Sequence, residues 1–251
     1  MIKIIELFRS FNGHQVLNGI DLEVPAGKIT VVIGKSGAGK SVLLKHIAGL
    51  LKPDQGRILI DGLDFTRARG RELQAIKKRF GVLFQGGALF DSLTVLENVA
   101  FPLREKTSLA EGEILSRARQ RLAQVNLPPE VESNYPDEVS GGMKKRVALA
   151  RALVQEPEIV LFDEPVTGLD PPMMNTVFHL ITKTHQESGY TGMVVSHDIP
   201  AVFQIAHYVA MLHHGRIVAC GTPAEIQQNP DPVVQGFLRG EIDFQETWKT
   251  P

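Results

Sequence analysis

A single cysteine, Cys220, excludes an internal disulfide, and nothing in the chain points to an oxidising compartment. Long apolar runs are missing too: none approaches the roughly 20 residues that span a bilayer. Lys3, Glu6 and Arg9 interrupt the first turns and break up any signal-peptide core. The expectation is a soluble, cytoplasmic protein that reaches a membrane only by docking. An excess of one charge is also lacking, since the net charge is -1. A free-standing nucleic-acid binder usually shows a basic excess, so no nucleic acid is expected as a partner. There is no internal repeat and no low-complexity tract. What the chain does have is a 43% hydrophobic fraction, enough for a real core. Its 251 residues suit one compact domain with a lobe inserted in it.

Residues 1–33 read as short strands. Asn12-Gly13 is a hairpin-turn pair, and Ile20, Leu22 and Val24 alternate with polar residues. Ile29–Ile33 is a nearly continuous β-branched run, the mark of a strand buried on both faces. Phe80–Phe84, Ile159–Phe162, Met193–Val195 and Tyr208–Leu212 look alike, with helical patterns between them, which implies a mainly parallel sheet. Residues 86–156 differ, being rich in helix formers and charge, and read as an inserted helical lobe. Thr94-Val95-Leu96-Glu97 and Thr222-Pro223-Ala224-Glu225 have capping-box spacing and predict two helix starts.

Gly34-Lys35-Ser36-Gly37-Ala38-Gly39-Lys40-Ser41 fits G-x-x-x-x-G-K-[ST]. Glycines let backbone N–H groups curl around phosphate oxygens without Cβ clashes. In this pattern Lys40 reaches the β- and γ-phosphates and the Ser41 hydroxyl ligates Mg²⁺. The motif follows a buried strand and opens a helix bearing Leu43, Leu44, Ile47, Ala48 and Leu51, whose dipole favours phosphate. A Gly-rich turn with no ligand is the bland alternative; a chance match in this length is on the order of 1 in 100.

Ile159-Val160-Leu161-Phe162-Asp163-Glu164 delivers two carboxylates at a strand's C-terminal edge, where open α/β sheets bind ligands. Asp163 would hold Mg²⁺, directly or through water, and Glu164 would orient or deprotonate the attacking water. Alone, such a pair more often caps a turn. Ser140-Gly141-Gly142-Met143 begins with a helix N-cap, ahead of an apolar stripe of Met143, Val147, Ala150 and Val154. An ordinary capped helix is the bland alternative here.

The order of these motifs resembles the ATP-binding cassette (ABC) ATPase family across nearly the whole chain. The resemblance implies an α/β P-loop NTPase fold of the RecA-like type. Its mainly parallel core and N-terminal antiparallel β subdomain would occupy residues 1–85 and 157–240. An inserted α-helical subdomain would take 86–156, and a C-terminal tail 241–251. It implies nucleotide binding by Gly34, Lys35, Ser36, Gly37, Ala38, Gly39, Lys40, Ser41 and Val42. Phe11 would stack on adenine, with Phe8 as a rival. Ser140 and Gly142 would contact ATP held by the facing subunit, with Asp170 of Gly168-Leu169-Asp170 at the seam. Gln85, Ser41 and Asp163 would serve Mg²⁺, and Lys40, Gln85, Glu164 and His197 would serve catalysis. His213 and His214 read as turn residues, Cys220 as inert core, and Lys144, Lys145 and Arg146 as a solvated helix face. One departure is Met143, where the family's commonest signature has Gln; this bears on a polar contact to the ribose.

Phe84 to Val95, Glu97-Asn98-Val99, Phe101 to Glu105 and the S-G-G-M signature together resemble the ATPases of Mla/Mce-type phospholipid transport systems. That implies a homodimer bound to integral membrane permease subunits at the cytoplasmic side of the inner membrane. A periplasmic lipid-binding component would belong to the same complex. It also suggests that the tail, with Phe244 and Trp248, reaches a neighbouring subunit. Other lipid or lipoprotein cassettes, and a non-transport ABC ATPase of the cluster-assembly kind, are the alternatives. The gap between Ser41 and Ser140 is too short for a repair-type coiled coil. A GTPase should show N-K-x-D, and this chain has none.

Overall fold

The computed structural model describes residues 1–241; the tail expectations on Phe244 and Trp248 lie outside the described residues. Strands β1 (Ile2–Phe11) and β2 (His14–Val24) form an antiparallel hairpin. They are longer than the short strands expected, because β-bulges absorb the breaks in the apolar alternation near Glu6 and Arg9. Asn12 and Gly13 turn the hairpin with φ of 49° and 80°, which these two residue types tolerate. With β4 (Gln55–Ile60) and β5 (Leu63–Asp64) they make a four-stranded antiparallel sheet in the order β2-β1-β4-β5.

The second sheet holds β3 (Ile29–Ile33), β6 (Phe80–Leu83), β7 (Ile159–Asp163), β8 (Thr191–Val195), β9 (Tyr208–His213) and β10 (Arg216–Gly221). Its order is β10-β9-β3-β8-β7-β6, parallel except for the edge strand β10. The runs are continuously apolar because both faces are covered. Val160 and Phe162 point into one core, while Ile159 and Leu161 point into the other. Val194 and Val209 join the first, Met193 and Ala210 the second. The second core is closed by α1 (Lys40–Ile47) and the antiparallel sheet; α2 (Gly70–Lys78) adds Ile76 at its edge.

Between β6 and β7 the chain is helical: α3 (Val95–Lys106), α4 (Glu111–Gln124) and α5 (Gly141–Leu153), with two short 3-10 turns. Thr94 caps α3 reciprocally with Glu97, and Thr222 does the same with Glu225 for α7 (Pro223–Gln227). Asn98, fully buried on α3, donates to the carbonyls of Phe90, Leu93 and Thr94 and accepts from the Phe90 N–H. That fixes the loop entering the lobe. After β7 comes α6 (Pro171–Ser188), and α8 (Pro232–Leu238) ends the described helices. Cys220 corrects an expectation. It lies on β10 but on the outer face, and is exposed rather than core.

Two histidines, His46 and His185, are buried and a third, His207, is half-buried, and desolvation lowers the pKa of each. His46 sits on α1, and His185 and His207 pack ring to ring at 5.2 Å beside Lys28. Their folded-state values lie below the usual imidazole pKa near 6.5, so below that pH the unfolded chain binds more protons. Stability is therefore intact above that value, falls as pH drops through it, and levels off beneath the depressed values. The thermal midpoint should fall steadily between pH 7.5 and 5.5, and the His185→Gln/His207→Gln chain should show a shallower slope. A native midpoint flat across that window would contradict the buried neutral histidines.

Candidate active site

Four strands of the six-stranded sheet end at one edge, and each ends on a residue singled out by sequence. β3 runs into Gly34, β6 into Gln85, β7 into Asp163 and Glu164, and β8 into His197. This is the carboxyl edge of a parallel sheet, where the loops open a crevice.

The loop after β3 can only be built with glycine at its two ends. A Cβ on Gly34 would lie 2.3 Å from the Leu212 carbonyl oxygen, and one on Gly39 3.0 Å from that of Val16. Gly39, at φ 102°, is also the N-cap of α1. Lys40 is nearly buried, and its Nζ donates to the carbonyls of Gly34 (2.7 Å) and Lys35 (3.0 Å) inside the curl of the loop. Burial lowers its pKa, while Glu164 and Asp163 oppose that shift. The helix dipole and the loop's N–H groups add positive potential at the same place.

Across the crevice, the Ser41 hydroxyl donates to Asp163 Oδ1 at 2.7 Å. A hydroxyl and a carboxylate are hard oxygen donors of the kind Mg²⁺ takes, and Gln85 lies on the loop after β6, the strand beside β7. The residues present therefore fit that ion. Glu164 is buried, with φ 48°. Its Oε2 meets His197 Nδ1 at 2.8 Å and accepts from the Thr167 hydroxyl at 2.9 Å. Its Oε1 turns to Lys40 Nζ at 3.8 Å. One oxygen is thus held by two partners, and the other faces Lys40 on the glycine-rich loop 34–41.

The remaining expected residues lie farther out. Ser140 caps α5 by accepting from the Met143 N–H at 3.3 Å, and is itself exposed. Gly142 is buried against Met173, whose Sδ would stand 3.0 Å from an added Cβ. Asp170 caps α6, accepting from the Met173 N–H at 2.8 Å. Phe11 is exposed at the end of β1 with the Arg9 guanidinium 4.5 Å from its ring centre, whereas the Phe8 ring is packed on Gly19. Phe11 is thus the ring open to solvent. Near it in sequence, His14, Gln15 and Val16 line a cleft of about 350 Å³ with residues 35–38 and the β9–β10 turn, which holds His213 and His214.

Two residues at the site escape the sequence reading. Thr167 reaches back three residues to Glu164 Oε2 within one local turn. Lys145, read as part of a solvated face, is buried. Its Nζ donates to the carbonyl of Gln85 and, at 3.3 Å, to that of Glu164. The helical spacing was a usable signal, since Gly142, Lys145, Leu149 and Ala152 share one buried stripe of α5. Lys144 and Arg146 are half-buried, and Arg146 donates to the Asn126 carbonyl at 2.7 Å.

The family described as ABC transporter matches residues 17–167. The intermembrane phospholipid transport system ATP-binding protein MlaF of Haemophilus influenzae is 42% identical over 251 residues, covering all of this chain and 95% of that protein. MlaF of Escherichia coli K12 is 42% identical over 94% of this chain and 87% of its own. The probable ribonucleotide transport ATP-binding protein mkl of Mycobacterium tuberculosis is 41% identical over 95% of this chain, which spans 66% of its length. Among solved structures, the ATP-binding cassette MJ0796, dimeric in a post-hydrolysis state with ADP and Pi, superposes with a TM-score of 0.82. It is 30% identical, covering 89% of this chain and 99% of that one.

Proposed function

Because the chain belongs to the ABC transporter family as an ATP-hydrolysing subunit, we propose that it drives phospholipid transport between membranes, seated as a homodimer on the cytoplasmic side of the inner membrane against integral membrane permease subunits and a periplasmic lipid-binding component. The observation that carries this reading is the 42% identity to MlaF running the whole chain, helical lobe included. A ribonucleotide cargo is the second reading, from mkl, but there the match leaves a third of the relative uncovered.

In this mechanism the loop 34–41 wraps the phosphates of ATP, and Lys40 turns its ammonium from the loop carbonyls toward the β- and γ-oxygens. Ser41, Asp163 and Gln85 would hold Mg²⁺, which when bound supplies charge neutralisation at the β- and γ-phosphates. Glu164 receives the proton of the attacking water at Oε1. His197 and Thr167 keep the carboxylate aimed from Oε2, so the base does not have to search for its position. Ser140 and Gly142 complete the site of the facing subunit, with Asp170 at the seam and Phe11 under the adenine. Two ATP molecules hold the dimer shut, and hydrolysis releases it.

The joint to the membrane partner is assigned to an apolar cavity of about 460 Å³ between core and lobe. Phe80, Phe84, Phe90, Phe101 and Pro102 line it, with Glu105, Lys106 and Arg151 at its edges. Phe90 is 42% exposed, its ring against Phe101 at 4.7 Å, and a large apolar side chain left open beside a cavity suits a protein partner. Phe90→Asp should leave the subunit folded, with a thermal midpoint within a few degrees of native, because the position is solvated. The same chain should fail to co-purify with its membrane partners and to support ATP-dependent phospholipid transfer between vesicles. Unfolding of the variant would make Phe90 core and end this docking assignment. Transfer of nucleotides but not lipids by the reconstituted native complex would replace the cargo, and co-purification with cluster-assembly proteins alone would replace the whole reading.

A further inference from the structure

Helix α5 presents two opposite ends of one relationship. Its N-cap, Ser140, faces solvent, while Lys145, little more than one turn later, is turned inward and only 8% exposed. The Lys145 ammonium donates to the carbonyl of Gln85, on the loop after β6, and to that of Glu164, at the end of β7. Two turns further on, Arg151 of the same helix donates to the carbonyls of Gly87 (2.6 Å) and Ala88 (2.8 Å). Both loop residues have positive φ, 75° and 49°, so the segment is a tight, non-repetitive turn held by α5 from outside. A lysine sealed from water needs several polar partners, and here they are backbone oxygens of the two residues nearest the chemistry. A 13-residue helix moves as a rod, so displacement of its N-terminus displaces Lys145 with it.

We propose that Lys145 is a positioning residue for hydrolysis, coupling the α5 N-terminus, which serves the facing subunit's ATP, to Gln85 and Glu164 of its own site. Engagement of Ser140 by nucleotide on the partner then sets the backbone from which the glutamate base and the metal-side glutamine project. The two sites of the dimer communicate through one short helix rather than through the dimer seam alone. The inference rests on the dimeric ATPase reading above and adds a residue to it.

The test is steady-state ATPase kinetics of the full-length chain with Lys145→Met and Lys145→Gln, beside thermal midpoints. Methionine keeps the apolar stem and removes the donor; glutamine restores an N–H donor with shorter reach. Lys145→Met should lower kcat at least tenfold with KM for ATP within about twofold of native, and Lys145→Gln should recover a third or more of native kcat. Full native kcat in Lys145→Met, a parallel change in KM, or a glutamine variant as impaired as the methionine one would overturn the proposal. If Lys145→Met does not fold, hydrogen exchange on the native chain decides instead. Backbone amides of residues 85–88 and 141–146 should gain protection together when ATP closes the dimer. Protection confined to 141–146 overturns the coupling. A native chain without ATPase activity would instead defeat the reading on which this inference stands.

Discussion

A Glu164→Gln chain should bind ATP normally and hydrolyse it about a hundred- to ten-thousand-fold more slowly, the range over which a positioned general base contributes. The amide matches the carboxylate in size, so the turn at φ 48° and the contacts around it have no steric reason to change. What disappears is the ability of Oε1 to take a proton. Oε2 is already committed to His197 and Thr167, so no second basic oxygen stands in reserve. With hydrolysis stalled, ATP should keep two subunits together, and a dimer should accumulate on gel filtration only when ATP is present. Adding Ser140→Arg to the same chain should remove that dimer, because in the proposed dimer Ser140 would face the partner's nucleotide and a bulky cation there would block closure. Turnover near the native rate would disqualify Glu164 as the base.

The second large effect belongs to Lys40. Lys40→Ala should lose at least a hundred- to a thousandfold in turnover, the scale for removing one fixed donor from developing phosphate charge. ATP affinity should fall as well, since a hydrogen bond to a charged group contributes about 1.5–3 kcal/mol. Lys40→Arg should not restore activity. The ammonium is seated between two carbonyls 2.7 and 3.0 Å away in a nearly closed pocket, and a planar guanidinium has neither the size nor the shape for it. Turnover with fluorescent-nucleotide binding separates the two losses, and a largely active Lys40→Ala chain would remove the phosphate-loop assignment.

What could be read from sequence was local or periodic. The phosphate loop, the strand runs buried on both faces and the caps at Thr94, Ser140 and Thr222 each depend on neighbours a few residues away, so a linear pattern carries them. What could not be read depends on chain segments meeting in space. Thr167 is the exception: it lies only three residues past Glu164 in a local turn, yet a threonine there looks like any loop residue. Charge alone puts Lys145 at the surface, whereas its place on the α5 stripe puts it inside. The apolar neighbours of Cys220 suggest core, but an edge strand leaves one face uncovered, and alternation on β10 puts it outside.

The strand order has a consequence for synthesis. β3, which carries the phosphate loop, is hydrogen-bonded on its two sides to β8 and β9. Both neighbours are made after the whole helical lobe, about 160 residues later, and at roughly 5–20 residues per second that is about 8–32 s of translation. Throughout that interval the nascent strand Ile29–Ile33, apolar on both faces, has no sheet to join. The antiparallel hairpin and the lobe, whose contacts are local, can form on the ribosome well before it. Nucleotide can therefore act as a folding ligand only at the end of synthesis, and chains released before His213 should be retained by chaperones.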